Sequence, residues 1–349
     1  MATIDLAACA AIALGAACIH GGAMAQTTEP QPTEYPLLWT ISGLKTSYLY
    51  GTIHIADNRV LNLPASVREA ISESGALYTE VPIDKEARRI ARQQMALQSG
   101  TTLDSVIPPD LRERLDLYVR SKGFTLRRFQ RYKPWALAER LATLEPADTR
   151  DSKTGLDHYL ISLAEKQGLR LDALETMREQ VAIFEGLTPE EHIAWLSSTL
   201  DHLEADQAQG INSAERLVEL YLSGDEQAIY DYLVASLPGN GAPDEKFSSL
   251  LLEERNEEMA KRINDKVRTD PARGHFFAVG AGHLAGPKGL LNLLTKRGFV
   301  VQRVSPPPHQ LAPPPAETER ERALEAELEL LKAEVRRLKR RIGELQKSG

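Results

Sequence analysis

Past residue 25 this chain of 349 residues has no cysteine, since Cys9 and Cys18 are its only two. Without that first segment the protein has no disulfide, no thiol nucleophile and no thiolate metal ligand. A metal site is thereby narrowed to His, Asp and Glu, and a nucleophile to a hydroxyl, a carboxylate or bound water. Nor does any run after residue 25 approach the roughly 20 apolar residues of a membrane helix. The formal charge of −7 is spread through the chain, which argues against a nucleic-acid footprint. His-Glu-x-x-His is missing, and with it the helical zinc site of the zincins. Gly-x-Gly-x-x-Gly is missing too, and Pro287-Lys288 opens the helix after Gly280-Ala281-Gly282, so a nucleotide cradle ranks low there.

What is present divides the chain. Residues 1–25 read as a signal peptide: Leu6 to Ile19 is almost wholly apolar, and Ala23-Met24-Ala25 fits small-x-small cleavage after Ala25. A secreted or periplasmic location follows. The n-region lacks Lys and Arg and carries Asp5, and Leu6-Ala7-Ala8-Cys9 resembles a lipoprotein box, so lipid anchoring is the minor alternative. Residues 26–36 are a polar leader. From 37 to 304 the periodicities alternate between strand and helix. Residues 37–54 read as a hairpin turning at Ser42-Gly43, and 76–79, 169–174, 275–279 and 299–304 as strands. Helical spacing fills much of the remainder, with Thr188-Pro189-Glu190-Glu191 a capping box. The expected fold is mixed α/β: a central sheet from the N- and C-terminal segments, with a large helical middle as a cap.

Residues 305–316 carry two Pro triplets and predict an extended linker. Residues 317–349 predict a coiled coil. Leu324, Leu328, Leu331, Val335, Leu338, Ile342 and Leu345 alternate spacings of four and three, with Leu at every d position. Glu327 and Glu334 at g would face Lys332 and Lys339 at e of a parallel partner. Self-association through 324–345 is the expectation, as a dimer, with a trimer as the alternative.

Chemistry points to two Gly-x-x-His motifs, Gly51-Thr52-Ile53-His54 and Gly280-Ala281-Gly282-His283. With 23 Gly and 8 His, about 0.5 such matches arise by chance, so context has to carry them. Both close strand-like runs. Two further runs end in a carboxylate, at Glu80 and Glu175. In open α/β sheets ligands gather outside the carboxyl ends of the strands, provided the strands are parallel neighbours. Two His and a Glu suit a divalent transition metal, Zn, Mn, Fe or Co, and leave positions open for water activated by the metal. The remaining carboxylate could act as base or orient a ligand. The glycines would let substrate or metal approach without a Cβ in the way. The other five histidines, His158, His192, His202, His275 and His309, read as structural or solvated.

These residues carry a family resemblance. Residues 38–42 and 46–54, together with 279–286 and 289–291, resemble the TraB/GumN family. The likeness runs through Lys133-Pro134-Trp135-Ala136, Gly155-Leu156-Asp157, Leu174-Glu175-Thr176, Gln180 and residues 254–260, and covers roughly 37–304. That family is related to the Tiki proteins, membrane-associated metalloproteases that need a divalent cation such as Mn or Co. The resemblance implies that His54 and His283 act at one site, with Glu80 as the first carboxylate carried over. It implies that Arg255 and Asn256 bind substrate carbonyls or orient the site. The leading expectation is a secreted metal-dependent hydrolase, a peptidase cleaving a peptide or protein substrate, with Glu175 or Glu80 as base and Arg255 or Asn256 polarising the carbonyl. The alternative is a non-catalytic binding, sequestering or assembly protein oligomerised by its tail.

Overall fold

The computed structural model of this chain describes residues 33–142, 144, 155–235, 237 and 245–305. The expected signal segment, most of the leader, the proline linker from residue 306 and the heptad tail lie outside them.

Strands β1 (Leu38–Ile41) and β2 (Ser47–Thr52) form the expected hairpin, with Leu38 opposite Tyr50 and Ile41 opposite Ser47. Helices α1 (Asn58–Leu61) and α2 (Ala65–Glu73) lead into β3 (Ala76–Thr79). The helical middle begins with α3 (Lys85–Met95), α4 (Pro109–Ser121) and α5 (Pro134–Ala142). Helix α6 (Leu156–Lys166) then returns the chain to β4 (Arg170–Ala173). Next come α7 (Met177–Glu185), α8 (Pro189–Ala208), α9 (Ser213–Ser223) and α10 (Glu226–Ala235). Helix α11 (Glu245–Ser248) runs through a π-helical turn, Ser249–Glu253, into α12 (Glu254–Thr269). Strand β5 (His275–Gly280), a 3-10 turn at Ala281–His283, α13 (Leu290–Lys296) and β6 (Val301–Arg303) complete the described chain.

The six strands lie in one mixed sheet in the order β4-β3-β5-β2-β1-β6. Strand β5, late in the chain, enters between β2 and β3 and runs parallel to both, with Gly51 opposite Val279 and Ala76 opposite His275. Beyond β3, β4 is parallel as well. Four contiguous strands therefore point their carboxyl ends the same way. Strands β2, β3 and β5 are buried almost throughout, which is why they read as continuous apolar runs rather than alternating ones. Strand β4 is a polar, exposed edge.

The core is divided in two. One part surrounds the sheet and includes Ile71, Leu160, Leu217, Ile263 and Leu294. The other lies within the helical middle, where the Trp135 and Phe184 rings stack at 4.5 Å and Phe184 and Trp195 at 5.3 Å. The helical middle is thus a second packed layer over the sheet, and the fold is α/β. Capping follows the sequence: Thr188 accepts from Glu191 N while the Glu191 side chain accepts from Thr188 N. Helix α13 starts at Leu290, later than the sequence spacing indicates. Gly286 turns at φ +88°, and the Gly289 N–H returns to its carbonyl before the helix begins. Among the described residues, no helix is long and apolar enough to cross a membrane.

Candidate active site

Each of the four parallel strands delivers one ionisable residue just past its carboxyl end. His54 follows β2, Glu80 follows β3, Glu175 follows β4, and His283 follows β5. The β3–β4 ladder continues beyond the strands: Leu174 N bonds Thr79 O at 2.8 Å, and Glu175 N bonds Glu80 O at 2.6 Å. That fixes the two glutamates side by side.

Arg255, from the first turn of α12, reaches into this cluster. Its Nη2 donates to Glu80 Oε2 at 2.6 Å and to Glu175 Oε2 at 2.7 Å. Its Nη1 lies 3.1 Å from His283 Nε2 and 3.3 Å from Leu251 O. The other oxygen of Glu80 accepts from Gly280 N at 2.5 Å. All these groups are buried. The space that the sequence reading reserved for substrate or metal beside the two glycines is filled by the protein instead. A Cβ on Gly280 would stand 2.9 Å from Glu80 Oε1, and one on Gly51 2.6 Å from Leu284 Cδ1. The glycines admit a carboxylate and a leucine.

Both histidines are held at Nδ1. His54 Nδ1 lies 2.5 Å from Asp157 Oδ2, and Asp157 Oδ1 accepts from Thr52 Oγ1 at 3.0 Å. His283 Nδ1 lies 2.7 Å from Asn256 Oδ1. Asn256 Nδ2 donates to Lys288 O at 2.9 Å, which orients the amide and makes its oxygen the acceptor. His283 Nδ1 therefore carries the proton, and Nε2 is left as a lone pair facing Arg255. His54 Nε2 is buried and has no hydrogen-bond partner.

Electrostatics separate the two rings. Burial opposes charge on His54, but Asp157, then Glu80 and Glu139, outweigh it and raise its pKa to about 9. Burial lowers His283 to about 4, with Arg255 and His54 adding to it against the pull of Glu80. Burial would raise Glu80, yet His283, Arg255, His54 and the Gly280 N–H bring it down to about 2. Glu175 moves up, because burial and the neighbouring Glu80 charge prevail over Arg255.

A cleft with a cavity volume of about 110 Å³ opens onto this cluster between the two cores, with His54, Glu80, Arg255 and His283 at its floor. Glu139, on α5, also lines it, whereas Glu175 does not and is screened by Arg255. Asn256 stands behind His283. The donor set fits a divalent ion in one respect above all. Two imidazoles are anchored at Nδ1 and turn Nε2 inward, one of them an orphaned buried nitrogen that would otherwise be a liability. With Arg255 on His283 Nε2, no three His, Asp or Glu side chains among the described residues converge to coordinate an ion. The guanidinium has to withdraw for that ring to be shared.

Asp157 and Glu139 were given no role by the sequence. Asp157 stood within the Gly155-Leu156-Asp157 motif, but nothing in its spacing ties it to His54, 103 positions earlier. For Glu139 the available signal was a single acid among buried apolar neighbours, Ala136, Leu137, Ala138 and Leu141.

A model of the TraB/PrgY/gumN family matches residues 37–303. Among curated proteins, the chain is 28% identical over 320 residues to metalloprotease TIKI1 of Danio rerio, covering 79% of this chain and 65% of that protein. It is 27% identical over 338 residues to metalloprotease TIKI1 of Homo sapiens, covering 82% and 66%. It is 25% identical over 256 residues to an uncharacterized protein, YbaP, of Shigella flexneri, covering 73% and 90%. The chain thus spans slightly less than two thirds of the length of these metalloproteases. No solved structure matches it.

Proposed function

The chain belongs to the TraB/PrgY/gumN family, and from that premise we propose that it is a metal-dependent hydrolase, a peptidase, secreted or periplasmic and acting on peptide or protein substrates. The observation that carries this reading is the pair of imidazoles, anchored alike at Nδ1 and lining one cleft. Its relatives named metalloproteases support it at the level of the family.

His54, His283 and Glu80 would hold the ion, and Mn, Co or Zn suits such nitrogen and oxygen donors. When bound, it supplies a Lewis acid and lowers the pKa of water. The chain's own residues do the rest. Asn256 keeps the His283 proton on Nδ1 and leaves Nε2 as a lone pair, while His54, held at Nδ1 by Asp157 with a pKa of about 9, would give up its Nε2 proton to the ion. Arg255, held by Glu80 and Glu175, would turn Nη1 from His283 and the Leu251 carbonyl to a substrate carbonyl oxygen, where charge develops in acyl transfer. Glu139 lines the cleft beside His54 and is placed to take a proton from water there. Glu80, with its carboxyl at about 2, is a poor proton acceptor near neutrality. Glu175 acts through Arg255, as its positioning partner. The apolar wall of the cleft keeps bulk water away and strengthens each of these interactions.

The competing reading is a non-catalytic binding or assembly protein. The closed network of Arg255 with Glu80, Glu175 and His283 is the observation on its side. The two separate on metal uptake. Residues 26–349, purified without chelator, should carry or take up a stoichiometric transition metal and cleave peptides with Mn, Co or Zn. His54→Ala and His283→Ala should each lose both properties. Wild-type protein that binds no metal and cleaves nothing would sink the hydrolase.

A further inference from the structure

The cleft is two-sided in its chemistry. Its ionisable groups all stand together at the strand ends and on α5 and α12, namely His54, Glu80, Glu139, Arg255 and His283. The rest of its wall comes from helices and is apolar, with Phe184, Trp195, Ile229, Leu233, Leu251 and Leu252, of which Leu233 and Leu252 pack beside Gly282. Phe184 and Trp195 are buried, Phe184 stacked on Trp135 and Trp195 on Phe184, so this part of the wall is preformed. Leu233, Leu251 and Leu252 are only half-buried. The last two lie in the π-helical turn that runs directly into Arg255, whose Nη1 bonds the Leu251 carbonyl. Wall and floor are therefore parts of one continuous surface. π-helical turns recur at functional sites because the extra residue re-aims side chains that a regular helix would turn elsewhere.

We propose that this wall is a subsite for one large apolar side chain, of the Leu or Phe kind, flanking the peptide bond that is cut. The proposal rests on the peptidase reading for the bond and on the wall alone for the side chain. The cavity of about 110 Å³ is small, which suits one side chain rather than a whole drug-sized ligand. An apolar side chain gains by leaving water there. A charged one is stripped of water against a surface whose described residues give it no partner. Because the aromatic stack is fixed beforehand, little ordering opposes binding.

The test has two arms, and the first needs neither metal nor turnover. Trp195 lines the cleft, so its fluorescence in chelated full-length protein reports occupancy. N-acetyl-leucinamide should perturb it at concentrations about 10- to 100-fold lower than N-acetyl-glycinamide or N-acetyl-aspartamide. Leu233→Asp and Leu252→Asp, checked for wild-type melting, should abolish that difference, and Trp195→Phe should remove the signal. Equal binding of the three amides, or a preference that survives both well-folded variants, overturns the subsite. In the second arm, metal-loaded protein is given peptides that differ at the one residue flanking the cut. Leu and Phe should exceed Gly and Asp in kcat/KM by about 10- to 100-fold. Cleavage indifferent to that residue overturns the subsite and leaves the peptidase standing. Selective binding in the first arm without cleavage in the second supports the subsite and overturns the peptidase.

Discussion

At the scale of single residues, the site depends on what stands behind the two rings. An imidazole can ligate or accept through Nε2 only if its proton is kept on Nδ1, and here that task falls to Asp157 and Asn256. Asp157→Asn should retain the fold but weaken metal binding by about 10- to 100-fold, measured by titration with Co followed spectroscopically. An unaltered affinity would remove Asp157 from the site. Protonation gives a second expectation, for chelated protein. His283 is held at about 4 against an ordinary 6.5, so the unfolded chain takes up its proton first, and stability falls as pH drops from about 6.5 to about 4. His54 runs the other way. Its folded pKa of about 9 contributes stability below 6.5, and this is lost as pH rises through 9. The melting temperature should therefore peak near pH 6.5. His283→Asn should flatten the acid limb and His54→Asn the alkaline one, and a variant whose limb stays unchanged contradicts the assignment. The two histidines and both glutamates stood out in the sequence because each follows a strand-like run, whereas Arg255 and Asn256 entered only through the family resemblance. Asp157 and Glu139 did not stand out, because no spacing rule links a residue on a distant helix to the ring it faces.

At the scale of elements, the sheet converts sequence distance into neighbourhood. His54 and His283 meet because β5 pairs with β2 in parallel register, Gly51 beside Val279. The sequence showed the strands, since buried parallel strands read as unbroken apolar runs. It did not show their order, which is set by the insertion of β5 between β2 and β3. The π-helical turn at Ser249–Glu253 was equally invisible, for its side chains keep the spacing of an ordinary helix over so short a stretch. Gly280 gives the clearest element-scale test. Its φ of −55° suits any residue, so only the close approach of Glu80 demands glycine. Gly280→Ala should push the carboxylate away, loosen its bonds to Gly280 N and Arg255, and destabilise the protein by about 1–3 kcal/mol in urea unfolding. If the variant unfolds at the wild-type midpoint, the packing argument at this turn is wrong. Thr188→Ala, which removes the capping box of α8, serves as a calibrating loss of about 1 kcal/mol.

At the scale of the whole molecule, the two apolar cores and the cleft between them lie among the described residues of 37–303, the span that matches the family. The heptad tail lies beyond that span and outside the described residues, so its part in the protein rests on sequence pattern alone. That pattern is specific. A stripe of Leu324, Leu328, Leu331, Val335, Leu338, Ile342 and Leu345 is too narrow to pack as a surface helix usually does, and it suits a mirrored partner. The g and e charges, Glu327 and Glu334 against Lys332 and Lys339, complement a parallel copy of the same chain. A helix of this length gains little stability alone in water, whereas pairing buries its whole stripe. Sedimentation of residues 26–349 should therefore give a dimer, or a trimer as the alternative. Leu331→Asp combined with Leu338→Asp places charges at two facing d positions in every chain and should return it to monomer. Its melting temperature and metal content should stay as in wild type, since both residues lie beyond the span that matches the family. A monomeric mass in the wild-type chain at tens of micromolar would remove self-association from the account of this protein.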